Sequence, residues 1–489
     1  MISPVDGFVR SYRRTIKLNR TVVWLGGVIV LLAMARPTAQ ALEAAAKEKS
    51  GPMPCAAASV EVEAANDMEG LKAYGQTLRE LLRKQDFKEL DCIADSERVR
   101  KDRFPGGTWK LHEFYWAITK PQGHATREDW DEQLKLVQSW VDAVPQSITA
   151  RVALAESYSG YAWDARGNDT SETVTENGWK LFAQRLEKAK TVLEDAATLP
   201  SKCPEWYFAM QQVALGQQWD RDRVDDLFKR AIASEPAYYY YYRSYAYYLM
   251  PQWNGEDGDA TKFAQQSADR VGGDAGDVLY FQIGEKILCA CNEPEFSRMS
   301  WPRLQKGHAL LEKQYGPSLF NLNSLALMAV KNNDWLTAND AFQRIGDNVD
   351  KTAWITETYF NQNKAAAAQI APQLEKSRAS LREAAANSQT AEGAEYQKKV
   401  EQALLPLIRQ CVLSLPNDRE KLEFAVQVGK DGSCDNLSTL HMTSAGQCML
   451  QKLYEGHVKN ESPFPPPPRP GYWVDLLLDP VAISTTAAK

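Results

Sequence analysis

The residues in this chain best placed to do chemistry are an acidic run and the aromatic stretch leading into it, Glu235 to Asp259, reading EPAYYYYYRSYAYYLMPQWNGEDGD. Glu256, Asp257 and Asp259 bring three carboxylates to one turn, and a hard cation such as calcium takes several oxygen ligands of this kind. The same residues suit a helix start. Asp259 is placed to cap a helix over Ala260–Asp269, and Glu256 with Asp257 would favour its positive end. The Asp-x-Asp-x-Asp-Gly register of a calcium loop is absent, so no metal ligand is assigned. Eight of the chain's 20 tyrosines lie between Tyr238 and Tyr248. Tyr238, Tyr241, Tyr242, Tyr245 and Tyr248 share one face at three-to-four spacing, whereas Tyr239, Tyr240 and Tyr247 point elsewhere. One reading buries this helix on several sides. The other makes it a partner-binding groove in which Tyr241 and Tyr245, with Arg243 and Trp253 at the rim, stack on and hydrogen-bond a peptide or glycan.

Catalytic constellations are otherwise missing. There is no GxSxG elbow, no GxxxxGK[ST] phosphate loop and no HExxH, so no catalytic residue and no cofactor site is assigned. The five histidines, His112, His124, His308, His441 and His457, are scattered. That distribution suits surface or satisfied core groups. Eight cysteines contain no CxxC, and Cys289-Ala290-Cys291 lacks a second pair at zinc spacing. A local disulfide or two buried thiols fits that pair.

The elements that position these residues begin with a targeting signal. Arg10, Arg13, Arg14, Lys17 and Arg20 precede an apolar run, Val22 to Ala35, and the small-x-small site Ala39-Gln40-Ala41 predicts cleavage before Leu42. Residues 1–41 therefore read as a secretory signal. Retention of residues 22–35 as an anchor is the alternative, although 14 residues fall short of the roughly 20 that cross a bilayer. The whole chain carries −6, and removal of residues 1–41 leaves about −11. So acidic a protein is a poor match for nucleic acid. An even cysteine count suits the oxidising compartment that export implies.

Residues 42–66 are Ala- and Glu-rich with no apolar period, and read as a disordered linker. Helical periodicity starts at Leu71, Tyr74, Leu78, Leu81 and Leu82. Pro105-Gly106-Gly107 forces a turn before an aromatic helix through Phe114, Tyr115 and Trp116. Helices then follow over Trp130–Val144, Ser147–Trp163, Trp179–Ala197, Glu205–Leu215 and Arg223–Ser234, joined by short links as antiparallel hairpins. Leu322, Leu325, Ala326, Ala329, Ala338, Phe342 and Ile345 fall on the offsets of the tetratricopeptide pattern, with Asn332-Asn333-Asp334 as the turn between its helices. Phe228, Ala231 and Pro236 have the spacing of that pattern's closing residues. This part of the chain resembles tetratricopeptide-like arrays.

Further strings resemble an uncharacterised family of exported bacterial helical proteins, a domain of unknown function. They are Gly107–Leu111 with Phe114-Tyr115, Ala162–Gly167, Gln218–Arg221, and Pro251–Gly255 with Gly258-Asp259, covering roughly residues 70–290. The resemblance implies a helical fold and an exported setting, and it brings no activity with it. Residues 67–300 are expected to form this domain. Residues 301–415 should form a tetratricopeptide-like region that ends in an Ala/Lys/Glu-rich spacer helix and a helix over Ala394–Leu413 with a kink at Pro406.

Residues 416–489 change character. Phe424–Val428 alternates, Asp431-Gly432 marks a hairpin, a second strand runs to about Leu440, a helix spans Ala445–Leu453, and a last strand spans Tyr472–Leu478 after Phe464 and four prolines. This strand-strand-helix-strand order resembles the C-terminal domain of TonB-type proteins. That family's sheet edge can accept a partner strand. TonB energy transducers keep a membrane helix with a histidine, and the apolar run here has none. Within this domain Cys434 on the second strand and Cys448 on the helix are expected to form a disulfide.

The fold class expected is therefore mainly α, a tetratricopeptide-like helical-hairpin array followed by a small TonB-like α/β domain. The function expected is a non-catalytic envelope scaffold for a protein or peptide segment, because helical arrays present extended concave surfaces. The alternative is an enzyme acting on envelope polymers through carboxylates such as Glu205, Glu256 or Asp257 beside an aromatic groove. Such an enzyme needs two carboxylates about 5 to 10 Å apart in a cleft.

Overall fold

The computed structural model of the chain describes residues 67–123, 125–167, 170–289, 293–350, 353–354, 356–414, 421–440, 443–458 and 463–479. The signal and linker expected over residues 1–66 lie outside these residues, as do His124, Cys291 and His441. The described residues hold eighteen α-helices and one three-stranded sheet.

The first helices are α1 (Asp67–Arg83), α2 (Phe87–Arg100) and α3 (Lys110–Ile118), followed by α4 (Arg127–Ala143), α5 (Ile148–Arg166) and α6 (Glu176–Ala197). Their starts are written locally. Thr126 and Asp129 form a reciprocal capping box on α4, and Ser147 caps α5. Thr175 accepts from the Gly178 amide at 3.0 Å, which starts α6 three residues before the expected Trp179. Between α2 and α3 the Pro105–Gly107 turn needs Gly106 at φ 76°, and Gly106 O accepts from Asn321 Nδ2 at 3.0 Å. A side chain at Gly106 would strike Ser318, so only glycine permits this docking.

The array continues with α7 (Pro204–Gly216), α8 (Arg221–Ser234), the tyrosine helix α9 (Tyr240–Tyr248), α10 (Asp259–Val271), α11 (Gly273–Cys289), the short α12 (Glu293–Ser297) and α13 (Trp301–Tyr315). One continuous core runs from Tyr74 to Met328 and takes in Tyr238, Tyr241, Tyr242, Tyr245 and Tyr248. The expected cap of α10 is corrected. Asp259 is the first residue of α10, and Gly258, in the left-handed region at φ 90°, occupies the cap position without a side-chain bond. The helix end is satisfied from a distance: buried Glu295 accepts from the Gly258 amide and from the Thr261 amide at 3.1 Å.

Next come α14 (Leu319–Lys331) and α15 (Trp335–Ile345), a helical hairpin turned at Asn332–Asp334. Asp334 caps α15 by accepting from the Thr337 amide at 3.0 Å. Leu322, Leu325, Ala326, Ala329, Ala338, Phe342 and Ile345 all enter one buried cluster.

The chain ends with α16 (Glu357–Ser388), α17 (Ala391–Ser414), β1 (Leu422–Val428), β2 (Cys434–Ser438), α18 (Ser444–Val458) and β3 (Tyr472–Leu478). The sheet is antiparallel with order β2-β1-β3. Both preceding helices serve it. The end of α16, read from sequence as a spacer, packs Leu381 and Ala384 on Ala425 and Trp473, and Asn387 Nδ2 donates to Trp473 O at 2.9 Å. Helix α17 runs through Pro406 and places Tyr396, Val400, Leu404 and Ile408 in the core that β1 and β3 complete. That core therefore crosses the boundary expected at residue 416.

The expected Cys434–Cys448 pairing is corrected. Cys448 is joined to Cys411, with Cα atoms 5.7 Å apart, and Cys434 is a free thiol. Cys411 lies on α17, which packs against α18, and that neighbour is invisible when the domain is read as starting after it.

Candidate functional site

Three helices each turn one stripe of side chains to a common point. Helix α3 gives His112, Glu113 and Trp116, with Thr119 and Lys120 just beyond its end. Helix α5 gives Glu156, Ser159, Gly160 and Trp163, and α7 gives Glu205, Phe208 and Gln212. Within α5 and α7 the spacings of three, four and seven put each set on one helix face. Tyr238 and α9, through Tyr239, Tyr240, Arg243 and Tyr247, close the other side.

At the floor lies a buried polar cluster. Glu205, in the first turn of α7, is fully buried. Its Oε1 is 2.8 Å from His112 Nδ1, and its Oε2 accepts from the Tyr238 hydroxyl. Glu156 belongs to the same cluster through its electrostatic coupling to Glu205. Tyr240 stacks on His112 at 3.6 Å between ring centroids, and Phe208 meets the imidazole edge-on at 4.9 Å. Burial favours the neutral form of each group. It lowers His112 and raises Glu205, despite the opposing effects of Tyr238 and Glu156. Glu156 is held well above the usual carboxylate range by burial and then by Glu205. The result is a neutral hydrogen-bonded cluster.

Two cavities open from this floor. The larger, of about 700 Å³, is walled by Trp116, Phe208, Tyr239, Tyr240, Tyr247 and Phe320. Four cationic side chains, Lys72, Arg79, Arg243 and Lys286, line it together with Glu113 and Asp350. Arg243 lies 3.8 Å from buried Glu285, and Lys286 sits over the Tyr247 ring at 4.2 Å with no ion pair to any described residue. Burial, then the neighbouring Arg243 charge, lowers the Lys286 ammonium pKa. Burial also raises the Glu113 carboxyl. The smaller cavity, of about 380 Å³, is lined by Trp116, Trp130 and Trp163 with Thr119, Ser159 and Glu156. His112, Trp116, Phe208 and Gln212 border both.

The candidates named from sequence fall in different places. Tyr241 is fully buried and donates to Pro204 O at 2.9 Å; Tyr245 is 6% exposed and donates to Asp225. Neither borders the cavities. Arg243 lines the larger one. Trp253 is half-buried between Trp163 and Tyr247 and lines neither. The tyrosines that face the larger cavity are Tyr239, Tyr240 and Tyr247, the three that periodicity separates from the main stripe. Glu256 and Asp257 are exposed on their turn, and Asp257 meets Arg298 at 3.6 Å, so neither joins Glu205. No group of three or more metal-ligating side chains occurs among the described residues. His112, Glu113, Glu156 and Ser159 carry a weak sequence signal, polar residues in register with a core-facing stripe, which becomes legible only once the helices are packed.

These features define a mainly helical hairpin array with an aromatic cleft and a small antiparallel sheet at its end. Residues 75–203 match the family described as Domain of unknown function (DUF4034). The match takes in α2 to α6, hence His112, Glu113, Trp116 and Glu156, and ends two residues before Glu205. No curated protein and no solved structure matches the chain.

Proposed function

We propose that the protein is an exported envelope scaffold that binds a protein or peptide segment in the larger cleft. The single observation behind this reading is the cleft's lining: aromatic walls together with cationic groups, of which Lys286 pairs with no carboxylate among the described residues. Aromatic side chains give broad apolar contact at small entropic cost, and a cationic lining on an acidic protein selects a segment carrying acidic residues. The basic n-region, apolar run and Ala39-Gln40-Ala41 support export, with residues 22–35 retained as an anchor in the alternative. The seven buried positions of the α14–α15 hairpin fit a tetratricopeptide-like repeat, and strand-strand-helix-strand order fits a TonB-like C-terminal domain. In that domain the outer strands β2 and β3 offer edges to which a partner strand would add.

A photo-crosslinking residue at Trp116, which is 57% exposed at the cleft mouth, tests the reading against one at Trp179, 38% exposed and away from both cavities. A discrete adduct in the envelope fraction is expected from position 116 alone. Identical adduct patterns from both positions would remove the cleft from the argument.

Action on envelope polymers is a second reading, favoured by Glu156, a carboxyl kept protonated at a cavity wall as a general acid would be. Its partner is the difficulty. Glu205 is directly coupled to Glu156 within the same buried cluster, and Asp164, at the cavity rim, lies eight residues along the same helix, a rise of about 12 Å. Carboxyl pairs that cleave glycosides stand roughly 5 to 9.5 Å apart. Product release from envelope glycans that survives Glu156→Gln would remove this second reading.

A further inference from the structure

The smaller cavity contains buried donors that the protein leaves unused. Among the described residues, Thr119 Oγ1, Ser159 Oγ and Trp130 Nε1 have no hydrogen-bond partner, and their residues are 1%, 5% and 5% exposed. All three residues line the same 380 Å³ space, with the donor atoms themselves occluded in its wall, so a ligand meets them once their side chains rotate toward it. A buried donor without a partner is destabilising, and such groups gather at ligand sites because a ligand can satisfy them. Each of the three can donate to an oxygen.

Charge narrows the ligand. The ionisable groups facing the cavity are His112, Lys120, Glu156 and Asp164. His112 and Glu156 are held neutral by burial. Lys120 lies over the Trp116 ring at 3.6 Å, so its charge is met by an aromatic face, and Asp164 offsets it at the rim. The lining is close to electroneutral, unlike that of the larger cleft. A charged ligand would therefore lose its hydration without gaining a counter-ion.

Shape narrows it again. Trp116, Trp130 and Trp163 wall the space, and Gly160 keeps it open beside Trp130: a Cβ at that position would come within 3.0 Å of the Trp130 ring. The volume lies near the lower end of the roughly 300 to 1,000 Å³ usual for small-molecule sites, which suits one ring. An uncharged ring with apolar faces and many oxygens around its rim satisfies all three conditions.

We propose that this cavity binds a single neutral sugar residue, its ring against the tryptophans and its oxygens accepting from Thr119, Ser159 and Trp130. The proposal does not depend on the peptide cleft, and it requires no reaction.

The test is titration of the full chain with glucose, galactose and N-acetylglucosamine, and with glucuronate as the charged counterpart, read by tryptophan fluorescence and by thermal midpoint. At least one neutral sugar should quench or shift the fluorescence saturably and raise the midpoint, with glucuronate weaker. Ser159→Ala and Thr119→Val remove hydroxyls that bond no described residue, so each should leave the unliganded midpoint unchanged or higher while weakening the sugar by about fivefold. Trp116→Ala, at an exposed position, should weaken it further without unfolding the chain. Absence of any response to the three neutral sugars would overturn the proposal. So would glucuronate binding as tightly as glucose, or neutral-sugar affinity unchanged in all three variants.

Discussion

Glu205 illustrates how a residue acquires its character from neighbours distant in sequence. In the sequence Pro-Glu-Trp-Tyr-Phe it reads as an ordinary acid in a first helical turn, where the helix dipole favours a negative charge. Its actual partners are His112, Tyr238 and Glu156, each from another part of the fold, and together they make it a buried neutral group. Tyr241 and Tyr245 were legible as members of a stripe, but a stripe specifies only that residues share a face. The core took that face, and the cleft received Tyr239, Tyr240 and Tyr247. Truncation should separate the two roles. Tyr241→Ala, at a fully buried site, is expected to destabilise by about 3 to 5 kcal/mol in urea unfolding. Trp116→Ala should change stability by no more than about 0.5 kcal/mol. Equal losses in the two variants would contradict this division of core from cleft.

Element boundaries were largely local and therefore readable. Thr126, Ser147, Asp220 and Asp334 each cap the helix that follows, using a side chain and an amide three residues apart. Helix α10 departs from that rule: its cap comes from Glu295, 34 residues beyond Thr261. The same distinction governs the disulfide. Periodicity located α17 and α18, while their packing chose Cys411 over Cys434 as the partner of Cys448. Peptide mapping without reduction should recover a Cys411–Cys448 linked peptide, with Cys434 free to alkylate. The bridge spans 37 residues, a loop whose closure contributes roughly 3 to 4 kcal/mol in the chain-entropy account. Cys411→Ser should lower the unfolding midpoint accordingly, and Cys434→Ser should leave it in place. A linked Cys434–Cys448 peptide would refute the assignment.

At the scale of the whole molecule, buried ionisable groups set the pH range of stability. Burial raises Glu97, Glu205 and Glu285 to about 7, 8 and 7 from an ordinary 4.5. The folded state thus holds protons that the unfolded chain releases, and this contribution, full below about pH 4.5, is lost as pH rises through 7 to 8. His112 and His308, lowered by burial to about 4 from 6.5, act in the opposite direction. Their contribution is full above pH 6.5 and is lost as pH falls toward 4. The two trends oppose each other between about pH 4.5 and 6.5; above that the carboxyl trend continues to about pH 8, opposed by buried Lys120 and Lys286, whose lowered pKa adds stability as pH rises toward 10.5. The urea midpoint should therefore be higher at pH 6 than at pH 8, and Glu205→Gln should flatten the difference; a midpoint rising from pH 6 to 8 would be inconsistent with neutral buried carboxyls. The sequence by itself determined most of the helices outside residues 273–315, the α14–α15 hairpin and the order of strands and helix at the C-terminal end, because capping and hydrophobic period act between residues a few positions apart. Tertiary structure alone decided which tyrosines face the cleft, that Glu205 meets His112, that Glu295 caps α10, and that Cys448 bonds Cys411. Each of those depends on elements brought together from distant parts of the chain, and a spacing pattern specifies a face without specifying what that face will touch.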